Sequence, residues 1–309
     1  MYVRRTRREN SYTHDRTSLF AAGMIVTSLR KSVLARLSLA EDHVPDLERL
    51  RSIYRAWCRS VPFDNVRKMI ALRTRSTTLP GTDPHDFFDA WLAHGTGATC
   101  WPGSIALHAL LVSDGFDVRR ATGSMRNTGV ENHATLIVVV EDTEWLVDSS
   151  MLLNEPVPLR GEMVHRPETF GVEVEPVEHT HVIWYQVPPH INGYPCRLLR
   201  RDVSGDVFLE RYRESRERSP FNSHLYARRN SVDGTVVIRG VTKFVMRGGA
   251  VEQSQLDRDG ILEALVADIQ LSGAVIEEWV REGGLEDTMK PYAGPPPVPL
   301  VEVPPSRRK

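Results

Sequence analysis

Apolar residues recur at helical spacing through the first third of the chain. Leu47, Leu50, Ile53, Tyr54 and Trp57 fall on one helical stripe, after Pro45 and before the break at Val61-Pro62. Asp83 and Pro84 read as the N-cap and first residue of a second helix, with Phe87, Phe88, Trp91 and Leu92 on its apolar side and Gly95 as its stop. A third helix is predicted over residues 105–113, closed by Asp114-Gly115. From there the pattern changes to that of strands, over residues 116–122, 134–140, 145–147, 194–199 and 207–212. Asp233-Gly234 marks a hairpin between runs 225–228 and 235–239, followed by a strand near 243–246 and a helix over 258–270.

This order gives an α+β chain in three segments: helical over residues 31–115, β-rich over 116–215 and mixed over 216–285. Residues 1–30 form a basic, polar arm without apolar periodicity, expected to be flexible. Residues 286–309 include PYAGPPPVPLVEVPPSRRK, a tail too rich in proline to pack as a helix or a central strand.

Composition narrows the function classes. The 39 Lys+Arg residues balance 40 Asp+Glu, so no global field draws the chain to nucleic acid or an anionic membrane. No apolar run approaches the roughly 20 residues that span a bilayer. The 3 cysteines are an odd number, far apart in a chain of 309 residues, which suits free thiols in a reducing cytosol. A cytoplasmic, enzyme-sized globular protein is expected.

One of those thiols stands in GTGATCWPG, residues 95–103, at a helix boundary. A helix N-terminus favours negative charge, so a thiol there is easier to activate. Gly95, Gly97 and Ala98 are small enough for backbone N–H groups to approach a bound carbonyl. Gly97, Ala98, Thr99 and Trp101 are the candidate pocket residues of this turn, joined by Ser149 farther along. Taken alone, the stretch suits a buried structural cysteine equally well. Cys58 and Cys196 lack such a turn and read as structural thiols.

A base for Cys100 is available in His133, which immediately precedes the apolar run ATLIVVV and so gains a rigid mount at a strand edge. The next strand, EWLVD, ends in Asp148, which would hold the imidazole tautomer. With Asp142-Thr143 as the turn, Asp148 lies opposite Ile137, on the face of His133 but four positions away, roughly 13 Å at strand rise. A longer turn, a bulge or strong twist must close that gap. A metal site has little support: there is no CxxC or HxxxH pair, and His179 and His181 in HTH would merely share a strand face. No glycine-rich phosphate loop is present.

Over residues 32–282 the sequence resembles the arylamine N-acetyltransferase family. RAWCRSVPFDNV is similar to its segment closing in P-F-E-N, the thiol follows a glycine-rich turn, HATLIVVVEDTEWLVD is similar to its His-strand-turn-strand-Asp, and SPFNSHL to the opening of its third domain. The resemblance implies a helical bundle, a β-barrel and a C-terminal α/β lid around a papain-like Cys100-His133-Asp148 core. Where the family has R-G-G-x-C-x-E-x-N, Thr96, Pro102 and Ser104 replace the arginine, glutamate and asparagine; after the aspartate the family continues V-G-F-G, whereas Ser149, Ser150 and Met151 follow Asp148. The GTGATCW turn looks more like the family's Dieckmann cyclase relatives. Those relatives imply a thioester substrate on the phosphopantetheine arm of an acyl or peptidyl carrier protein, with no permanently bound cofactor, and ring closure from an acyl-Cys100 intermediate. The alternatives are acetyl-CoA-dependent arylamine acetylation, amide-forming chain release, and an inactive binding protein of the same fold.

Overall fold

In the computed structural model the described residues are 25–41, 43–160, 163–165, 171–187 and 193–291. Most of the N-terminal arm and of the proline-rich tail lies outside them.

Five helices come first: α1 (Thr27–Arg36), α2 (Leu47–Ser60), α3 (Val66–Arg73), α4 (Pro84–His94) and α5 (Cys100–Ser113). Asp46 caps α2 by accepting from the Arg49 amide, and Leu50, Ile53, Tyr54 and Trp57 are all buried, as the stripe requires. Asp83 caps α4 through the His85 amide; Gly95 ends it at φ 71°, the left-handed conformation that favours glycine. The third helix begins five residues earlier than the pattern predicts. Cys100, not the region after Pro102, opens it, because proline within the first turn forfeits no intrahelical hydrogen bond. Helix α5 is buried on almost every side, which explains why it shows no amphipathic stripe.

The middle of the chain forms an antiparallel sheet of eight strands: β2 (Asp117–Met125), β3 (His133–Val140), β4 (Thr143–Val147), β5 (Val157–Pro158), β6 (Met163–His165), β7 (Val172–Val177), β8 (Thr180–Tyr185) and β9 (Tyr194–Val203). Their order is β5-β4-β3-β2-β9-β8-β7-β6. The edges β5 and β6 do not pair with each other among the described residues, so the expected barrel is a curled half-barrel. Helix α5 packs on β2 and β3 and thereby joins the helical half to this sheet.

Residues 207–212, expected as a strand, are helical: α6 spans Gly205–Arg218. Phe208 and Tyr212 are four apart and both buried, and the charged run around them favours helix; a short VFLERY window reads either way until that spacing is weighed. Strands β7 and β8 have no counterpart in the sequence reading, although Val172 and Val174 alternate inward in β7.

The last segment builds a second antiparallel sheet, ordered β1-β10-β11-β12-β13, from β10 (Tyr226–Asn230), β11 (Thr235–Arg239), β12 (Thr242–Arg247) and β13 (Ala250–Gln255). Its first strand, β1 (Phe63–Asp64), comes from the N-terminal helical segment and pairs antiparallel with β10. Helices α7 (Arg258–Ala267), α8 (Gly273–Arg281) and α9 (Gly284–Met289) complete it, α7 ending three residues before the predicted limit. Val66, Met69 and Ile70 of α3 share a core with Leu225, Ile238, Leu265 and Trp279. Residues 63–70 are thus packed with the C-terminal lobe, although they lie inside the predicted helical bundle.

Candidate active site

The site lies where α5, the β2-β3-β4 edge and β1 meet. Thr99 is the extended residue before α5, and Cys100 is its first helical residue, 6% exposed. That places the sulfur at the positive end of the helix dipole. The approach loop is held from β1. Asp64 is buried, and its carboxylate accepts from the Val66 amide at 3.1 Å and the Gly97 amide at 2.6 Å. Gly97 has no alternative as a residue type, since any Cβ there would overlap the Pro62 carbonyl oxygen. Burial pushes the Asp64 carboxyl up to about 6, against the two amide hydrogen bonds and the charge of Arg67.

His133 opens β3 opposite Gly123, which leaves room for the imidazole beside Cys196. The hairpin turn is Glu141-Asp142, not Asp142-Thr143: both residues have positive φ, 50° and 57°, and Thr143 pairs with Val140. A type I′ turn needs two left-handed residues, and β-branched Thr143 is better suited to the strand. Val147 pairs with Leu136, so the register continued by one residue sets Asp148 opposite Thr135. Only two positions, roughly 7 Å at strand rise, then separate it from His133, within reach of the two side chains. His133 Nε2 and Asp148 Oδ2 are 2.7 Å apart. Charge on the Cys100 sulfur also favours the protonated imidazole.

Asp148 is fixed from every side. Its Oδ1 accepts from the Ser150 amide, the Ser150 hydroxyl and the Met151 amide at 3.0, 2.9 and 2.8 Å; its Oδ2 also accepts from the Tyr185 hydroxyl at 3.2 Å. Tyr54 donates to the Asp148 carbonyl at 2.8 Å and accepts from the Asp148 and Leu153 amides. The Ser-Ser-Met turn therefore supplies the donors that hold the acid. Burial opposes both charges of the pair. The Asp148 carboxylate nevertheless holds the His133 imidazole above its ordinary range, and the imidazolium with these donors holds Asp148 below the ordinary carboxylate range.

The other expected pocket residues divide. Gly97, Ala98 and Thr99, the residues leading into Cys100, line a narrow cleft together with Asp64, Lys68 and Tyr212. Trp101 is instead core, packed edge to face on Phe208 at 5.3 Å, as its inward-facing position in a buried helix dictates. Ser149 does not line the cleft either: its hydroxyl meets the Ser104 hydroxyl at 2.9 Å and reaches the Cys100 carbonyl at 3.5 Å, tying α5 to the turn after Asp148. Ser104 donates to the Ala134 carbonyl or shares its proton with Ser149, so these two serines join nucleophile helix, histidine strand and acid turn.

Asp64, Lys68 and Tyr185 escaped the sequence reading, and Ser150 entered it only as a departure from the family's pattern. Only Asp64 carried a signal, in the VPFDN segment, but its link to Gly97 depends on a strand of two residues. His179 lies in the turn before β8 while His181 is within it, so the two do not share a strand face. Among the described residues no cluster of three or more His, Cys, Asp or Glu is placed to hold a metal ion. Cys58 and Cys196 are buried free thiols; burial pushes Cys58 up to about 12 and raises Cys196 as well. No helix among the described residues is long and apolar enough to cross a membrane.

The sequence model of a family described as N-acetyltransferase matches residues 46–274. Among solved structures, a cysteine-to-glutamine variant of an N-arylamine acetyltransferase from Mycobacterium smegmatis is 21% identical and superposes with a TM-score of 0.71, over 84% of this chain and 98% of its own. The arylamine N-acetyltransferase of Salmonella typhimurium is 20% identical with a TM-score of 0.70, over 83% of this chain and 99% of its own. A Bacillus cereus arylamine N-acetyltransferase, described as having a unique Cys-His-Glu catalytic triad, is 16% identical with a TM-score of 0.66, over 80% of this chain and 100% of its own. No functionally curated protein matches at the sequence level.

Proposed function

The chain belongs to the N-acetyltransferase family, and from that premise we propose that it transfers acyl groups through a thioester on Cys100, releasing them by intramolecular carbon–carbon ring closure. The observation that carries the acyl-transfer reading is the position of His133, hydrogen-bonded to Asp148 through Nε2 at 2.7 Å and near enough to Cys100 for charge on its sulfur to favour the imidazolium.

In the acylation half-reaction Cys100 gives its proton to His133, and the sulfur attacks the thioester carbonyl of the donor. The incoming C–S bond forms as the donor's C–S bond breaks, and His133 returns the proton to the departing thiol. The imidazolium stays beside Asp148 throughout, and that carboxylate, fixed by Ser150, Met151 and Tyr185, stabilises the charge without taking the proton. Amides at the start of α5 supply donors for the carbonyl oxygen as it gains negative charge.

The donor in this reading is an acyl chain on the phosphopantetheine arm of a carrier protein, and the chain carries an acidic carbon between two carbonyls. His133 removes that proton; the C–H electron pair becomes the enolate, which attacks the Cys100 thioester. A C–C bond forms, the C–S bond breaks, and the Cys100 sulfur leaves and recovers the proton from His133. A tethered nucleophile gains a large effective molarity and needs no separate acceptor pocket. The resemblance of the GTGATCW turn to Dieckmann cyclases supports this release, as do Thr96, Pro102 and Ser104 in place of the acetyltransferase residues. The second reading, acetyl-CoA with an arylamine acceptor, is supported by the arylamine N-acetyltransferases that share the fold.

Intact-mass analysis with a β-dicarbonyl aminoacyl thioester tests both levels. An adduct on the wild-type protein that is absent from Cys100→Ala supports the acyl enzyme, and labelling of the alanine variant overturns it. A product of mass equal to substrate minus thiol, with a cyclic tetramate-type spectrum, supports ring closure. Exclusive formation of the open acid, with efficient acetylation of an arylamine from acetyl-CoA, replaces it by the second reading.

A further inference from the structure

Lys68 is an unusual residue to find in the cleft that reaches Thr99, next to Cys100. It lies on α3, only 3% exposed, and lines the cleft formed by Asp64, Gly97, Ala98, Thr99 and Tyr212. Its ammonium donates to the Ser215 hydroxyl at 2.9 Å and the Ser215 carbonyl at 3.3 Å, and sits 5.8 Å from the centre of the Tyr212 ring. An ammonium has three N–H donors, and no protein acceptor for the third is found among the described residues. Lys68 and Tyr212 are both near enough to Cys100 to feel charge on its sulfur. Burial pushes the Lys68 ammonium down to about 8, Cys100 working against this and Arg216 in favour.

Burying a charge costs several kcal/mol unless it is compensated. Here the compensation comes from neutral groups, Ser215 and an aromatic face, and no carboxylate is paired with the ammonium among the described residues. Such a cation, in a cleft that reaches Thr99 next to Cys100 and with a donor to spare, suits an anionic oxygen that comes with the substrate. A ring-closing acyl chain has one: the enolate oxygen of its β-dicarbonyl unit, which bears most of the charge released when the carbon proton leaves.

We propose that Lys68 is a positioning and specificity residue that binds the enolate oxygen of a β-dicarbonyl acyl chain on Cys100 and so selects ring closure over hydrolysis. The proposal rests on the carbon–carbon release described above and adds its substrate class: chains whose acceptor carbon lies between two carbonyls and is anionic when it reacts. Lysine supplies a compact point charge that follows the oxygen as the enolate forms, and two hydrogen bonds to Ser215 anchor the ammonium.

The partition of the acyl enzyme tests this. With the β-dicarbonyl thioester as substrate, the ratio of cyclic product to open acid is measured for wild type, Lys68→Gln, Lys68→Arg and Ser215→Ala. The ratio is internal to each acylated molecule, so loss of folded protein does not alter it. The expected result is a fall of at least tenfold in Lys68→Gln, partial recovery in Lys68→Arg, and a severalfold fall in Ser215→Ala. As a second readout, the enol anion of a 3-acyl tetramic acid is expected to bind Cys100→Ala at least tenfold more tightly than Cys100→Ala/Lys68→Gln. A wild-type ratio in Lys68→Gln overturns the role of Lys68 and leaves ring closure standing. Open acid alone from the wild type overturns ring closure, and the role of Lys68 with it.

Discussion

Asp64 and Gly97, 33 positions apart in the chain, are joined by a 2.6 Å hydrogen bond from the Gly97 amide to the Asp64 carboxylate. The acid sits at the edge of the C-terminal sheet and the amide in the loop that delivers the nucleophile, so the orientation of Cys100 is set by a strand outside its own half of the molecule.

This link makes stability depend on pH in an identifiable direction. Burial raises Asp64 to about 6, above the roughly 3.9 of an unfolded aspartate, so the folded protein binds the extra proton in between. The Asp64 contribution therefore falls as pH rises from about 4 to about 6. Asp64→Asn is expected to remove that slope, shifting the stability difference between variant and wild type by about 2 kcal/mol in favour of the variant between pH 4 and pH 7. Urea unfolding at several pH values measures it; an unchanged slope refutes the assignment.

Within the His133-Asp148 pair the two members have opposite signs, His133 following the direction of Asp64 and Asp148 the reverse. The raised imidazole contributes stability that is present below its unfolded pKa, near 6.5, and is lost as pH rises through the higher folded value; the lowered carboxyl contributes above about 4 and is lost as pH falls through its folded value. In Asp148→Asn, NMR titration of the His133 ring is expected to move to lower pH. Acyl-Cys100 formation should slow by about 100- to 10,000-fold, as when a triad acid is replaced by its amide.

Tyr54→Phe deletes one oxygen that serves three backbone groups, the Asp148 carbonyl and the amides of Asp148 and Leu153. Unsatisfied buried amides cost about 1–3 kcal/mol each. A loss of roughly 2–4 kcal/mol in chemical unfolding is expected, with a reduced acylation rate because the acid is no longer held. A loss under about 0.5 kcal/mol would mean that other groups hold this turn.

Gly97→Ala places a Cβ on the Pro62 carbonyl oxygen. The loop and β1 must then separate, breaking the Asp64 contact. Destabilisation of about 3 kcal/mol or more is expected, with loss of acyl transfer even where residual folded protein is measured by circular dichroism.

The sequence made α2 and α4 legible because caps, stripes and stops agreed: Asp46 with Trp57, Asp83 with Gly95. Cys100, His133 and Asp148 were legible as residue types in order, but their contact was not. A shift of the turn from Asp142-Thr143 to Glu141-Asp142 moves the partner of His133's strand by two positions, and no local signal favours Glu141 in a left-handed conformation. The α6 helix was lost for the reason short apolar windows are ambiguous, and β7 because Pro176 cuts its Val172-Glu173-Val174-Glu175 alternation to four residues. Trp101 and Ser149 were placed in the pocket by proximity in sequence to Cys100 and Asp148, whereas helix phase and the Ser104 hydroxyl turn them elsewhere. Lys68 could not be found at all, since its burial depends on α6, more than a hundred residues downstream.

The two residues of β1 also fix when the enzyme can exist. Their hydrogen-bonding partner is Tyr226–Asn230, so a nascent chain that has already synthesised Cys100, His133 and Asp148 still has no finished nucleophile loop. A chain that ends before Tyr226 is therefore expected to carry Cys100 without the strand partner of Phe63 and Asp64.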